Sequence, residues 1–179
     1  MTGPADPSPS PLLGPALETA LAEIEAHVHA AGWDRGPALF ALVRAGTFTS
    51  DDPETAARLG IDALPDDALT PVEQDELPDQ PLDELLAGIA WPESVAGCAV
   101  SQEIVILPPS AEAALEGQDP AALAADHPDR REARLVAGVL RDGAAAAVMR
   151  LRGTDGDDDL VTGPDLAPNL TAALRDTLS

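Results

Sequence analysis

The residues of this chain that could do chemistry are concentrated between positions 127 and 152. Six of its ten basic residues, all arginines, fall between positions 130 and 152, where only Glu132 and Asp142 are acidic. Guanidinium groups bind carboxylates and phosphates through forked pairs of N–H donors. This stretch therefore predicts a site for a small anion or an acidic peptide, with five candidate binding residues: Arg130, Arg131, Arg141, Arg150 and Arg152.

A histidine and a carboxylate precede these arginines. His127 and Asp129 flank a proline, and an imidazole near a carboxylate can act as a general base at neutral pH. However, no recognisable motif places a serine or cysteine nucleophile, and the chain has no Gly-rich phosphate loop. We predict no catalytic residue and favour a surface turn here, while an enzyme that uses His127, Asp129 and the arginines stays open as the alternative.

The arginines fall on a predicted β-hairpin. Asp142-Gly143 lies between two strand-like runs, which is typical of a two-residue turn. Such a turn would pair position 135 with 150 and position 133 with 152. One face would then carry Arg141, Arg150, Arg152, Leu135, Val139 and Val148, while the other face packs into the core. We favour internal pairing of these arginines with acidic segments, or coverage of apolar strand surface by their stems, over an open binding site.

Trp33 and Trp91 each follow a predicted helix in a chain with only 2% aromatic residues. We interpret both as large core anchors. Their alternative is a stacking surface for a ligand or partner, so both are candidate binding residues.

No metal site and no cofactor are predicted. The run from Asp155 to Asp159 resembles a calcium loop but lacks the glycine at its sixth position and the glutamate at its twelfth. His27 and His29 are two residues apart on a helix, so they cannot chelate one ion as an i, i+4 pair would. The single cysteine, Cys98, rules out an internal disulfide and a cysteine-based zinc site.

The overall charge excludes several classes of partner. The 179 residues include 32 acidic and 10 basic residues, which gives a formal net charge of −22. Binding to nucleic acid or to anionic lipid needs clustered cations, so neither is expected. The N-terminus has no signal-peptide pattern, no stretch is long and apolar enough to span a membrane, and Cys98 is unpaired, so we expect a cytoplasmic protein.

The pattern of elements predicts an α+β fold. We expect a disordered Pro- and Ser-rich tail over residues 1–13 and a single domain over residues 14–179, with an acidic flexible segment at about 62–81. The predicted helices lie near 15–32, 52–60, 81–90 and 167–178, with two short helical turns within 110–129. Strands are predicted at 38–43, 96–107, on both sides of Asp142-Gly143 and near 160. These elements favour an antiparallel or mixed sheet of four to five strands, with the N- and C-terminal helices packed against it.

Several segments together resemble a conserved family of proteins without assigned activity from high-GC actinobacteria. They are Ala31–Asp34, Leu39–Val43, Leu69–Gln74, Ile89–Glu93, Gly97–Ala99, His127–Arg130, Val139–Gly143, Leu151–Arg152 and Thr162–Leu166. The resemblance extends from about residue 12 to residue 178. It implies an actinobacterial cytoplasmic protein, and it implies no particular reaction.

Three functional hypotheses follow. The first is a non-catalytic binding protein, adaptor or chaperone-like, whose ligand is a protein or a peptide. The second is the anion-binding protein or enzyme described above. The third is a homodimer formed through a sheet edge or through the C-terminal helix.

Overall fold

A computed structural model describes residues 13–75, 77–78, 80–106, 131–152, 160–163 and 166–178. The predicted N-terminal tail, apart from Leu13, lies outside these residues. So do the helical turns predicted within 110–129, the candidate residues His127, Asp129 and Arg130, and the acidic run before residue 160.

Helices and strands alternate irregularly along the described chain. In chain order they are α1 Leu13–Ala31, β1 Ala38–Arg44, α2 Ala45–Asp51, α3 Pro53–Leu59, a 3-10 turn Ile61–Ala63, β2 Leu69–Glu73, α4 Leu82–Ala87, β3 Gly97–Ile106, β4 Arg131–Leu140, β5 Ala145–Leu151, β6 Leu160–Gly163 and α5 Pro168–Thr177. Local signals place α3 as the sequence predicts. Asp52 caps its first turn by accepting from the Thr55 N–H, Pro53 opens it, and Gly60 ends it in the left-handed conformation.

The described strands form one sheet in the order β2-β1-β3-β4-β5-β6, and every neighbouring pair is antiparallel. The α+β class is confirmed, but the predicted count of four to five strands is wrong because six are present. The additional strand is β2, which lies within the segment predicted as a flexible loop. Pro71 sits inside β2, and a proline in a short run argues against a strand except at a sheet edge, which is where β2 lies.

Helices cover both faces of the sheet. On one face, α1 contributes the apolar stripe Leu17, Leu21 and Ile24, which packs on residues of β1, β3, β4 and β5. On the other face, Leu86 of α4 and Leu174 of α5 pack on a second group of strand residues. Because both sides are buried, β4 is apolar on both sides over most of its length.

The hairpin between β4 and β5 differs by one residue from the predicted register. Its loop has three residues, 141–143: the Gly143 N–H donates to Leu140 O, and the Leu140 N–H donates to Ala144 O. Only Gly143 has a positive φ, of 100°, whereas a two-residue type I′ turn would also need one at Asp142. Arg150 therefore lies opposite Arg134, not Leu135.

This shift changes which residues lie beside the arginines. A one-residue slip moves a strand's side chains to the opposite face relative to its partner. Arg150 shares its face with Arg134, Val136 and Val148, and that face lies beneath α1. The predicted grouping of Arg150 with Leu135 and Val139 is wrong.

Two glycines allow close packing in the centre of the fold. A Cβ on Gly138 of β4 would lie 2.7 Å from Cδ2 of Leu21, so its absence lets α1 approach the sheet. A Cβ on Gly97 of β3 would overlap the backbone O of Val139. A flexible side chain can move aside, whereas a paired strand backbone cannot do so without loss of the β-ladder.

We expect Gly97→Ala to lower the free energy of unfolding by about 3 kcal/mol, because the new methyl group forces β3 and β4 apart. Urea denaturation monitored by circular dichroism measures this change. Gly36→Ala is the matched control, since nothing lies near its Cβ position, and its effect should stay within about 0.5 kcal/mol. Equal effects of the two substitutions would contradict this account.

Candidate functional site

A buried ion pair joins α1 to β5. The guanidinium of Arg150 holds the Glu25 carboxylate in two hydrogen bonds, from Nε to Oε1 at 2.5 Å and from Nη2 to Oε2 at 2.8 Å. Glu25 is 1% exposed and Arg150 is 8% exposed. Glu25 follows Ile24 on the side of α1 that faces the sheet, where the neighbouring buried side chains of the helix are apolar. The two-fold hydrogen bonding offsets the cost of taking both charges out of water.

A second arginine, which the sequence analysis did not select, completes this cluster. Arg134 of β4 is fully buried beside Arg150, and its Nη1 lies 3.8 Å from Oε1 of Glu25. Its Nη2 donates to the carbonyl of Gly32 at 2.7 Å and lies 3.7 Å from Oε1 of Glu103. The correct hairpin register would have indicated Arg134, because it places Arg134 directly opposite Arg150. The predicted two-residue turn shifts this pairing by one residue.

Trp33 lies close to two of the arginines. The guanidinium carbon of Arg134 is 4.3 Å from the centre of the indole ring, and that of Arg152 is 5.3 Å away. Both distances permit cation–π attraction. Trp33 thus anchors the loop after α1 to the sheet through two arginines of the same chain.

Arg152, which directly follows β5, is paired at the surface. Its Nη1 donates to Asp34 at 2.9 Å and to Glu132 at 2.8 Å. The hydrogen bond from Arg152 lowers the pKa of Asp34, and the same bond raises the pKa of Arg152. Asp34 has a φ of 64°, a backbone conformation that aspartate adopts more readily than most residues.

Arg141, in the hairpin loop, is hydrogen-bonded to backbone carbonyls and not to carboxylates. Arg141 donates to four backbone carbonyls: Leu178 at 2.5 Å, Val95 at 2.8 Å, and Trp91 and Pro92 at 3.1 Å each. These carbonyls belong to the segment between α4 and β3 and to the end of α5. Arg141 therefore fastens two distant parts of the chain to the hairpin, a role that its position in a turn does not reveal.

Trp91 and Cys98 belong to the same packed region. The Trp91 Nε1 donates to Oγ1 of Thr177 at 3.0 Å, which ties this tryptophan to α5. The Cys98 thiol is fully buried and lies 3.5 Å from the same hydroxyl. Burial raises the pKa of Cys98, so the thiol stays protonated near neutral pH.

Those candidate arginines that the structure describes do not converge on one open cleft. Arg141 lies in the hairpin loop, and Arg150 is six positions beyond Ala144 along β5, a span of about 20 Å. Arg131 lies at the opposite end of the hairpin from Arg141, exposed and opposite Ile106 of β3. Arg150 and Arg152 are paired within the chain, with Glu25 and with Asp34 and Glu132 respectively.

Elsewhere, a cavity of about 450 Å³ is bordered by Trp91, Leu39 and Gln74. A wider groove of about 760 Å³ lies between the end of α1 and the residues after β2. His27 and Glu73 meet there at 3.2 Å, with both side chains largely exposed. Across the described residues, no three histidine, cysteine or acidic side chains are grouped as metal ligands. Among the described helices, none combines the length and apolar character that crossing a bilayer requires.

The fold and the buried cluster define an α+β protein in which helices cover both faces of an antiparallel sheet and an ion-pair network lies under α1. The chain belongs to the PPA1309-like protein family, whose model matches residues 17–179. The predicted membership of a family without assigned activity is confirmed. Neither the curated proteins nor the solved structures contain a significant match.

We expect Glu25→Gln to destabilise the fold by about 3–5 kcal/mol, because it removes the buried negative charge that faces the guanidinium groups of Arg150 and Arg134. Glu18→Gln, at an exposed position of the same helix, is the control and should change stability by less than about 0.5 kcal/mol. Chemical denaturation measures both. In a double-mutant cycle with Arg150→Met, the double variant should lose less than the sum of the single losses, and simple additivity would contradict the pairing.

Arg141→Lys should loosen the C-terminal helix, because one ammonium group cannot reproduce a planar fork bonded to four carbonyls. Amide hydrogen exchange should show lower protection in α5 and in residues 91–95, with a loss of global stability of about 2 kcal/mol. Arg175→Lys is the control, since Arg175 is exposed and makes one hydrogen bond, to Gly143 O. Unchanged exchange in α5 of the Arg141 variant would contradict the proposed fastening.

Proposed function

We propose that this protein is a non-catalytic binding domain of adaptor or chaperone-like type, and that its partner is a protein with a basic surface. The observation that carries the proposal is the use of the arginines. Eight of the nine arginines in the described part of the chain donate hydrogen bonds to groups of the chain itself. Most of the described guanidinium groups therefore already have acceptors within the fold, which leaves them less available to a ligand.

The acidic residues are distributed differently. Apart from Glu25, the described acids lie at exposed or half-buried positions, and many have no basic neighbour in the sequence. One group of exposed acids extends along the chain from the end of α2 to the residues just before β2. Its members are Asp51, Glu54, Asp62, Asp66 and Asp67. With a net charge of −22, the outer surface repels anions and attracts cations. Such a surface favours a partner rich in lysine and arginine.

The alternative of an anion-binding protein or enzyme has less support. Arg150 would have to leave the Glu25 carboxylate, and Arg152 would have to leave Asp34 and Glu132, before either could bind a ligand. Breaking the buried pair leaves an uncompensated charge in the interior, at a cost of about 3–5 kcal/mol. The interactions of a ligand with these arginines would have to exceed that free-energy cost before binding became favourable.

We also infer that the protein acts as one domain in the cytoplasm. Helices α1, α4 and α5 pack on a single sheet, which supports one domain. Cys98 is free and buried, which is the usual state of cysteine in a reducing compartment.

Selection of a random peptide-display library against the immobilised full chain tests the proposal. At about 0.15 M salt, where exposed charges act only over roughly 8 Å, we expect enrichment of peptides with a net positive charge. In parallel, titration with inorganic phosphate followed by ¹H–¹⁵N NMR should give no saturable shifts. Lack of enrichment would contradict the proposal, as would saturable phosphate binding that Arg131→Gln abolishes.

A further inference from the structure

The two edges of the sheet differ in how they are protected. At one edge, the Gln74 N–H donates to Leu39 O and the Ala45 N–H donates to Ala68 O, which fixes the alternation of hydrogen bonds along β2. By this alternation, Pro71 occupies a position whose backbone nitrogen faces away from β1. A proline there interrupts the outward row of N–H donors, which is a known means of preventing an edge from pairing with another chain.

At the opposite edge, the four described residues of β6, Leu160–Gly163, include no proline. The Arg152 N–H donates to Glu132 O, so even-numbered residues of β5 bond to β4 and odd-numbered residues face β6. Met149 lies opposite Val161 and Ala147 opposite Gly163. The N–H and C=O groups of Leu160 and Thr162 therefore point outward, away from β5. This edge offers two donors and two acceptors to an incoming strand.

The side chains of β6 match these backbone groups. Leu160 is 45% exposed and Val161 is 40% exposed, and they lie on opposite faces of the strand. Large apolar residues at an open strand edge favour pairing with another segment. An added strand would cover both residues and satisfy the outward backbone groups at the same time.

We propose that β6 binds an extended, basic segment of a partner protein as an additional strand of the sheet. This inference rests on the proposed function and names the surface and the form of the partner. A segment with a few β-branched residues between arginines or lysines would pack on Leu160 and Val161 while it hydrogen-bonds to Leu160 and Thr162. Strand addition draws affinity from backbone bonds and specificity from alternate side chains.

Charge identifies the partner more closely. In the sequence, four of the five residues directly before β6 are aspartates, and the whole chain carries −22. A second copy of this chain would carry the same net charge of −22. Repulsion between the two copies therefore favours a basic partner over a homodimer.

The test uses the full chain and a fluorescent peptide probe, acetyl-Arg-Arg-Val-Ile-Val-Arg-Arg-amide, with binding followed by fluorescence anisotropy. We expect saturable binding that weakens as salt is raised. Two control peptides should bind at least about tenfold more weakly, because one loses charge attraction and the other loses extended backbone pairing. In the first control glutamate replaces every arginine, and in the second proline replaces the isoleucine.

Substitutions in β6 locate the site. Thr162→Pro copies the protection seen at Pro71, since it removes an outward N–H and leaves the bonds of Val161 and Gly163 to β5 in place. It should weaken the probe by about tenfold, the loss expected for one or two backbone hydrogen bonds. The double variant Leu160→Ser, Val161→Ser keeps the backbone and should weaken the probe by a similar factor. Leu59→Ser removes an equally exposed apolar side chain elsewhere and should leave binding unchanged.

Each outcome separates this inference from the proposed function. Probe binding that neither β6 variant weakens, in proteins whose thermal unfolding matches the wild type, would overturn the inference and leave a basic partner that binds elsewhere. Absence of saturable probe binding to the wild-type chain would also overturn it. So would a light-scattering mass of a dimer that Thr162→Pro converts to a monomer, because the occupant would then be a second copy. The display selection decides the proposed function independently.

Discussion

The position of α1 depends on the buried ion pair between the Glu25 carboxylate and the guanidinium groups of Arg150 and Arg134. A helix that packs on a sheet through leucine and isoleucine alone can shift along its axis or rotate at little cost. A buried carboxylate that must face Arg150 and Arg134 allows only one position, because any other leaves charges unpaired away from water. Hydrophobic burial thus supplies most of the driving force, and the ion pair selects the register.

The small residues of β4 and β5 make this arrangement accessible. Gly138, Ala146 and Ala147 leave little side-chain volume at the centre of the sheet, so helices approach closely on both sides. A sheet with larger residues at these positions would hold α1 farther away, beyond the reach of Glu25. The alanine-rich composition, which offers little buried area per residue, is therefore coupled to the geometry of the buried charges.

Most of the helices and strands could be predicted from the sequence, whereas features that depend on long-range contacts could not. The ends of α3 followed from Asp52, Pro53 and Gly60, because caps are local chemistry. The strand β2 was missed because the role of Pro71 depends on lying at an edge, which only the completed sheet defines. A two-residue turn and a three-residue loop share the same Asp-Gly signal, and this difference decided which residues face Arg150. Partners such as Glu25 with Arg150 are 125 positions apart in the sequence, and no local pattern reports them.

The hydrogen bonds of Arg141 have a consequence for the order in which the molecule is completed. One of its acceptors, the carbonyl of Leu178, comes 37 positions after Arg141 in the sequence. During synthesis from the N-terminus, the hairpin emerges well before that carbonyl exists, and the guanidinium has only part of its set of acceptors. The contact that ties the hairpin loop to the residues after α4 and to the end of α5 is thus completed only after α5 itself has been synthesised and has folded onto the sheet.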